Sequence, residues 1–269
     1  MAADERSAPV GIDVTIPNGA RIYDYLLGGK DNFAADRAAA GQMLAACPSA
    51  PATATANRAF LQRAVQYLAK EVGIRQFLDI GNGLPAQNNV HEIAKRAAPD
   101  SRVVYVDNDP VVIVHGQALL TKADSTAVVQ GDLRRPGEII ADPEVTALID
   151  FSRPVGVLLL AVLHFITDSE NPAGVVATLR DAMAPGSHLV LSHTEDVGQN
   201  DAMIAAKRGF RSAGVPLTPR SHAELVRLLD GFELLDPGLV DIHRWRPADS
   251  DPSGGDPDWM LLGCVARKN

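Results

Sequence analysis

From about residue 76 onward, short apolar runs alternate with stretches of helical character, and this alternation constrains the fold more than any other feature. The apolar runs predict strands at QFLDI, RVVYVD, TAVVQ, VGVLLLA and HLVLSH, with two more near FELLDP and WMLLGCVA. The segments between them predict helices at AQNNVHEIAKRAA, PVVIVHGQALLTK, NPAGVVATLRDAM and SHAELVRLLD. Strands that alternate with helices are typical of a mainly parallel sheet covered on both faces. We therefore expect a doubly wound α/β domain whose seven strands end in a C-terminal hairpin.

The chain upstream of this pattern has a different character. TIPNGARIYDYLLGGKDNF mixes aromatic residues, glycines and charges without clean periodicity, so it predicts irregular structure. ADRAAAGQMLAAC and NRAFLQRAVQYLAKEVG predict two helices separated by a break at Pro48 and Pro51. We expect residues 1–75 to form an N-terminal helical cap or lid and residues 76–269 to form the α/β domain. Residues 194–219 are a second stretch predicted to be irregular.

Composition and charge limit the kinds of molecule that the protein is expected to bind. The formal charge of -8 argues against binding along nucleic acid, because phosphate neutralisation needs a clustered basic surface. No apolar run approaches the ~20 residues of a membrane span, and MAADERSAPVGIDVT lacks the apolar core of a signal peptide. We expect a cytoplasmic protein that acts on a small molecule, and the sequence leaves its oligomeric state open.

FLDIGNGLP, residues 77 to 85, contains a glycine turn that suits either of two cofactors. It fits a dinucleotide loop through Gly81, Gly83 and Ala86, and it fits the D-x-G-x-G turn that holds S-adenosylmethionine. A pyrophosphate near Asp79 would cost about 4 kcal/mol at ~4 Å, whereas the ammonium and sulfonium of S-adenosylmethionine would be attracted. The alternative is that Asp79 only caps the turn. Pro85 is expected in the first turn of the following helix, where its missing N–H is tolerated.

Two further acids follow the next strands. Asp107 ends the second strand at roughly the interval where an acid accepts hydrogen bonds from ribose hydroxyls. Asp132 ends the third strand, where it is positioned to accept from the exocyclic amine of adenine while Leu133 covers the ring. Surface turn chemistry explains any one of these acids, but it explains all three poorly. We therefore expect Asp79, Asp107 and Asp132 to converge on one crevice at the carboxyl ends of the strands.

These residues and their surroundings resemble the class I S-adenosylmethionine-dependent methyltransferases. More narrowly, the chain resembles an actinobacterial methyltransferase family long catalogued as a domain of unknown function. The narrower resemblance extends from about Ile12 to Arg267 and rests on five stretches: PNGARIYDYLLGGKDNFAADR, FLDIGNGLPAQNNVHEIAK, VVYVDNDPVVIVHGQALL, GDLRRP and GFELLDPGLVDIHRWRP. The broad class implies a Rossmann-like sheet of order 3-2-1-4-5-7-6 with the seventh strand antiparallel. It also implies cofactor contacts at Asp79, Gly81, Gly83, Asp107 and Asp132.

The predicted cofactor site therefore has two parts. The sheet contributes Asp79, Gly81, Asn82, Gly83, Asp107, Asn108, Asp132 and Leu133. The N-terminal segment contributes Tyr23, Lys30 and Asn32, because a segment too polar for a core and too aromatic for a linker suits a lid that excludes water. The alternative for that segment is an ordinary helix start with Gly28-Gly29 as a turn.

The fourth strand is followed by LLLAVLHFITD, which lacks the N/D-P-P-Y/F arrangement that resembling enzymes use for amide or exocyclic amine nitrogens. His164 takes that position and is the candidate general base, with a pKa expected near neutrality. The alternative is that His164 is a capping or core histidine. His193, after the fifth strand, is expected to line the acceptor pocket. The histidines show no metal-ligand spacing, so we predict no metal site.

The function predicted from these features is methyl transfer from S-adenosyl-L-methionine to a small acceptor, with S-adenosyl-L-homocysteine as the product. Two alternatives stay open at the level of the sequence. One is a sensor or regulatory module that binds S-adenosylmethionine without transfer. The other is an NAD-dependent oxidoreductase, which would tolerate an apolar residue in place of Asp79.

Overall fold

The computed structural model describes residues 13–120, 124–198, 201–212, 216–248 and 260–269. The polar stretch ADSDPSGGDPD at 248–258, whose composition predicts a loop between the last two strands, lies almost entirely outside the described residues. One sheet of eight strands organises the molecule. Its strands are β1 Gln76–Ile80, β2 Arg102–Asp107, β3 Thr126–Gln130, β4 Gly156–Leu160, β5 His188–Thr194, β6 Phe232–Leu234, β7 Val240–Asp241 and β8 Leu261–Lys268.

The main path of the sheet runs β3-β2-β1-β4-β5-β8-β6, and the two-residue β7 pairs with β8 beside it. Strands β1 to β5 are mutually parallel, and β8 lies antiparallel between β5 and β6. The predicted fold class and strand order are therefore confirmed. The last long strand is the eighth in the chain rather than the seventh only because β7, which the sequence did not reveal, precedes it.

Ten helices surround the sheet in the described part of the chain. They are α1 Gly19–Leu26, α2 Ala34–Ala46, α3 Ala50–Tyr67, α4 Val90–Ala97, α5 Pro110–Leu120, α6 Pro136–Ala141, α7 Pro143–Leu148, α8 Pro172–Ala182, α9 Asp201–Ser212 and α10 His222–Leu228. A π-helical turn, Leu68–Val72, continues α3. A capping box begins the last helix, with the side chains of Ser221 and Glu224 each hydrogen-bonded to the backbone of the other residue.

Three expectations about helices were wrong. The N-terminal stretch predicted to be irregular contains α1, whose start is capped by the Asn18 side chain. The stretch 194–219 contains α9. Pro85 does not lie in a helix, because α4 begins only at Val90 after an extended connection. Helix α1 has a weak propensity of its own and depends on its cap, whereas the alanines and long side chains of α9 favour a helix.

The sheet is buried on both faces, which explains why its strands are continuous apolar runs. Leu78 and Ile80 of β1 belong to the apolar cluster on one face, and Phe77 belongs to the cluster on the other. That second cluster also contains Phe60 and Leu61 of α3. Helix α3 is thus part of the core of the sheet, although the sequence placed it in the cap.

None of the helices in the described residues is both long and apolar enough to cross a membrane.

Candidate functional site

A cavity of about 350 Å³ opens at the carboxyl ends of the parallel strands. This volume is typical of a small-molecule site, and the location is where open α/β sheets bind their ligands. Its lining combines strand ends from the sheet with residues of α1, α3 and α9. Nine of the predicted cofactor residues line it: Tyr23, Asp79, Gly81, Asn82, Gly83, Asp107, Asn108, Asp132 and Leu133. The predicted catalytic residue His164 lines it as well.

The glycine turn after β1 is fixed by two backbone hydrogen bonds. The N–H of Gly81 donates to the carbonyl of Val106 at 2.7 Å, and the N–H of Gly83 donates to Oδ2 of Asp107 at 2.9 Å. Both glycines have positive φ, 75° and 65°, which strongly favours glycine. A Cβ at Gly81 would also lie 2.3 Å from Cγ2 of Val162. Glycine is therefore required at Gly81 by conformation and by space.

Asp79 ends up buried at the base of the cavity, with 5% of its surface exposed. Its carboxylate accepts no hydrogen bond from any part of the chain that the structure describes, so it does not cap the glycine turn. Burial raises the pKa of Asp79 to about 7, while Arg58 acts to lower it and Asp107 acts to raise it. A desolvated carboxyl group facing a cavity gains most from a cationic ligand.

Asp107 is the residue that holds the turn. Its Oδ2 accepts from Gly83, and its Oδ1 accepts from the N–H of Asp109 at 3.0 Å. Burial raises the pKa of Asp107 to about 6, and these hydrogen bonds oppose that shift. An ionised carboxylate has roughly four acceptor sites, so two remain for hydroxyl groups of a ligand.

Asp132 has a partner that the sequence did not suggest. Arg134 donates to it from the backbone N–H, from Nε and from Nη2, the last at 2.6 Å. These hydrogen bonds hold the pKa of Asp132 below its usual value. Nη1 of Arg134 also reaches Glu170 at 3.2 Å, so Arg134 bridges two carboxylates at the cavity wall. An adenine amine at Asp132 would have to share that carboxylate with Arg134.

Three other residues complete the sheet side of the cavity. Leu133 is 5% exposed and offers an apolar surface beside Asp132. Asn108 is exposed at the rim. Asn82 donates from Nδ2 to the carbonyl of Gly83 at 2.7 Å, while its buried Oδ1 has no hydrogen-bond partner among the described residues. A buried acceptor without a partner is costly, which makes Oδ1 of Asn82 a candidate ligand contact.

Tyr23 of α1 closes the cavity from the N-terminal side. Its hydroxyl donates to the carbonyl of Ala54 at 3.0 Å and accepts from Nδ2 of Asn57 at 3.1 Å. Oδ1 of Asn57 accepts from the hydroxyl of Ser192 in β5 at 2.7 Å. A chain of hydrogen bonds therefore fixes α1 to α3 and to the end of the sheet.

The structure does not bring Lys30 and Asn32 to the cavity. Lys30 is exposed and lies away from the lining. Asn32 is buried, but its Nδ2 donates to Asp24 at 2.8 Å and to the carbonyl of Gly29 at 3.1 Å. Its Oδ1 accepts from Arg37 at 3.2 Å. Asn32 thus organises the loop after α1, and this geometry does not support the ligand contacts predicted for either residue.

His164 follows β4 and is 6% exposed. Its Nδ1 accepts from the backbone N–H of Thr194 at 3.4 Å and contacts the Thr194 hydroxyl at 3.1 Å. In the neutral ring the proton is therefore on Nε2. Burial, His193 and Arg220 hold the pKa of His164 well below its usual value, so the expected pKa near neutrality was wrong. The ring is suited to donate a hydrogen bond rather than to remove a proton.

His193 is fully buried and does not line the cavity, contrary to expectation. Its Nδ1 donates to the carbonyl of Thr194 at 2.8 Å, and its Nε2 accepts from Arg220 at 3.0 Å. Burial lowers the pKa of His193 to about 4. Arg220 also donates to the carbonyls of Leu163 and Ile166, so this pair supports the loop that carries His164.

Sequence reasoning missed several lining residues. Arg134 stands two residues after Asp132 in the GDLRRP stretch, but that spacing alone does not indicate an ion pair. Arg58, Asn57, Phe210 and Leu217 come from helices or segments remote from the strand ends, and only the folded chain brings them to the cavity. Within the described residues, no cluster of histidine, cysteine or acidic side chains is arranged to hold a metal ion.

The parallel sheet with antiparallel β8, and the acid-lined cavity at its strand ends, define a Rossmann-like methyltransferase. Residues 5–269 match the model of the family described as S-adenosyl methyltransferase, and the chain belongs to that family. The predicted methyltransferase class and the cofactor S-adenosyl-L-methionine are thereby confirmed.

Two solved structures are similar over nearly the whole chain. The first is a candidate methyltransferase from Thermobifida fusca, 42% identical with a TM-score of 0.91, matched over 97% of this chain and 98% of that one. The second is a duf574 family protein from Streptomyces avermitilis, 40% identical with a TM-score of 0.92, matched over 96% of this chain and 99% of that one. No curated protein matches the chain.

Proposed function

We propose that the cavity binds S-adenosylmethionine beside a small-molecule acceptor and that the protein transfers the methyl group between them. The observation that carries this proposal is the lining itself. Three strand-end acids and a glycine turn occupy one side of the cavity, and mainly apolar residues occupy the other. An activated methyl group needs alignment with its acceptor more than it needs further chemistry.

The charges of the lining fit this cofactor. Asp79 would hold the ammonium of the methionyl end, and Arg58, which lies near enough to influence the pKa of Asp79, would face its carboxylate. Asp107 would accept from the ribose hydroxyls, and Oδ1 of Asn82 would gain the partner that the chain does not supply. Asp132 and Leu133 would border the adenine, with Arg134 sharing the carboxylate.

The N-terminal cap encloses the cavity from one side. Tyr23 reaches the cavity from α1, and its hydrogen bonds to Ala54 and Asn57 hold that helix over the opening. We propose that residues 1–75 act as a cap on the α/β domain, in which α1 and α2 cover the cavity and α3 packs against the sheet. Excluding water strengthens every electrostatic contact with the cofactor.

The direct test is thermal. S-adenosylmethionine and S-adenosylhomocysteine should raise the melting temperature, since a ligand at ~100 times its Kd adds about 2.7 kcal/mol of stability. NAD should have no comparable effect, because its pyrophosphate would meet the buried Asp79. A shift with NAD alone would refute the proposal.

A further inference from the structure

We infer that the part of the cavity beyond β4 and β5 takes an uncharged, largely apolar ring molecule with one hydrogen-bond-accepting heteroatom. This inference names the substrate class and rests on the proposed function. We call this part the acceptor subsite and define it by six of the residues that line the cavity: Leu26, Met43, His164, Phe165, Phe210 and Leu217.

The strand order separates this subsite from the cofactor side. Strands β1, β2 and β3 lie on one half of the sheet and carry Asp79, Asp107 and Asp132. Strands β4 and β5 lie on the other half, and β4 leads directly into His164 and Phe165. A molecule held beyond β4 would therefore lie beside the cofactor rather than in its place.

The wall of the acceptor subsite is apolar and partly aromatic. One apolar cluster contains Met43 of α2, Phe210 of α9 and Leu217, and Leu26 of α1 and Phe165 of the loop after β4 pack against it. The rings of Phe165 and Phe210 have centroids 5.8 Å apart, and those of Phe165 and His164 have centroids 4.4 Å apart. Adjacent ring faces and edges favour a planar, aromatic partner.

No charged side chain is available to pair with an ionic acceptor here. Within the described lining of the acceptor subsite, the one titratable group is His164, which its environment keeps neutral. The nearby carboxylate of Glu170 is paired with Arg134. A charged acceptor would be desolvated without a counterion, which is strongly unfavourable.

One polar contact is available to orient the ring. With Nδ1 of His164 bonded to Thr194, the proton lies on Nε2. Nε2 of His164 has no hydrogen-bond partner among the described residues, and it remains accessible from the cavity. It can therefore donate to an oxygen or nitrogen of the bound ring and fix its orientation.

The test uses probes of one ring size and different charge. At about pH 8, quinoline is neutral with a ring nitrogen, naphthalene lacks the heteroatom, 1-naphthoate is an anion and 1-naphthylmethylamine is largely a cation. Each is titrated calorimetrically into the full-length protein, with and without S-adenosylhomocysteine. We expect quinoline to bind at least about tenfold more tightly than either ion, and about fivefold more tightly than naphthalene.

Variants localise the binding. Phe210→Ala should weaken quinoline about fivefold and leave the affinity for S-adenosylhomocysteine unchanged. Leu44→Ala is the matched control, because Leu44 packs on the same apolar cluster but does not line the cavity. His164→Phe should remove the preference for quinoline over naphthalene.

Binding of 1-naphthoate or 1-naphthylmethylamine as tight as that of quinoline would overturn the inference, and so would an unchanged affinity in Phe210→Ala. Equal affinities for quinoline and naphthalene in the native protein would overturn the part of the inference that requires a hydrogen-bond-accepting heteroatom. The probes are also titrated into protein without S-adenosylhomocysteine, so the two hypotheses can fail separately. If the native protein binds quinoline but not S-adenosylhomocysteine, the result counts against the proposed function alone.

Discussion

At the residue scale, the chemistry of the site depends on how the chain treats three carboxylates at three strand ends. Asp107 holds the glycine turn and Asp132 is paired with Arg134. Asp79 is buried without a hydrogen bond from the described chain, and its pKa is raised to about 7. Desolvated carboxyl groups with raised pKa values cluster at functional sites. A cationic ligand end would compensate for the burial of the Asp79 charge.

The substitution Asp79→Asn tests this role. The amide has nearly the same shape but cannot carry the charge that attracts an ammonium group. We expect affinity for S-adenosylmethionine to fall by roughly 1–3 kcal/mol, while the melting temperature of the ligand-free protein stays the same or rises, because a buried carboxyl is lost. Calorimetry provides the affinity. An unchanged affinity in a folded variant would leave Asp79 without a role in binding.

The pKa of Asp79 also predicts a pH dependence. A cationic ligand favours the ionised carboxylate, so below the free-protein pKa of about 7 binding must first remove a proton. Affinity should therefore fall as the pH drops from 8 to 6, by up to about tenfold per pH unit below 7, and level off above 8. Asp107 has a pKa of about 6, so its protonation should lower the affinity further near pH 6.

Calorimetry across this range is the measurement, and Asp79→Asn is its control. The variant should show a flatter profile between pH 7 and 8, where Asp107 is already ionised. Identical slopes in the native protein and the variant would show that Asp79 does not carry the dependence.

The acids could be predicted from the sequence because a strand end is a local feature with a fixed position in a parallel sheet. Their partners could not. The ion pair of Asp132 with Arg134 depends on a side-chain rotamer, and the pKa of His164 depends on burial beside His193 and Arg220. Both are properties of the packed structure rather than of residue spacing.

At the element scale, the cap is attached to the sheet by a buried charge cluster. Arg21 of α1 is 4% exposed, and its Nε lies 3.6 Å from Asp36 of α2 and 3.4 Å from Asp109 before α5. The N–H of Asp109 in turn donates to Asp107. The position of α1 is thus linked through two short contacts to an acid of the cofactor site.

Replacing Arg21 should strongly reduce the stability of the protein. Arg21→Met leaves Asp36 and Asp109 buried without their counterion, and we expect it to destabilise the protein by about 3–5 kcal/mol. Urea denaturation measures the change. Arg135→Met is the control and should cost much less, because Arg135 and the Glu138 with which it pairs are both exposed.

A second variant separates charge from packing. Adding Asp109→Asn to Arg21→Met removes one uncompensated carboxylate and should recover part of the lost stability. Equal stability of the single and double variants would mean that Arg21 acts through packing against Phe33, over which its guanidinium lies at 5.4 Å.

Strands were more predictable than helices for a physical reason. The runs QFLDI, RVVYVD and TAVVQ match β1, β2 and β3 residue for residue, because a strand buried on both faces must be apolar throughout. Helix α1, in contrast, begins with glycine and contains two tyrosines, so its own propensity is poor. The Asn18 cap and the burial of Arg21 and Ile22 stabilise it in the folded chain.

At the scale of the whole molecule, the strand order of the sheet divides the cavity into an acidic half and an apolar half. Placing β1 at the centre with β2 and β3 on one side gathers the acids into one half. Placing β4 and β5 on the other side presents His164 and Phe165 to the remaining half, which α1, α2 and α9 cover. The sequence predicted the sheet and its acid side, but the apolar side is assembled from segments that are far apart in the chain.

Whether the cavity holds S-adenosylmethionine through Asp79 and Asp107 is decided by a crystal structure of the protein grown with S-adenosylhomocysteine. We expect the ribose hydroxyls to lie within hydrogen-bond distance of Asp107, roughly 2.5–3.0 Å. We also expect the amino group of the ligand to face Asp79 and the adenine to lie beside Leu133. A ligand bound outside the cavity, or one whose carboxylate rather than its amino group faces Asp79, would contradict this expectation.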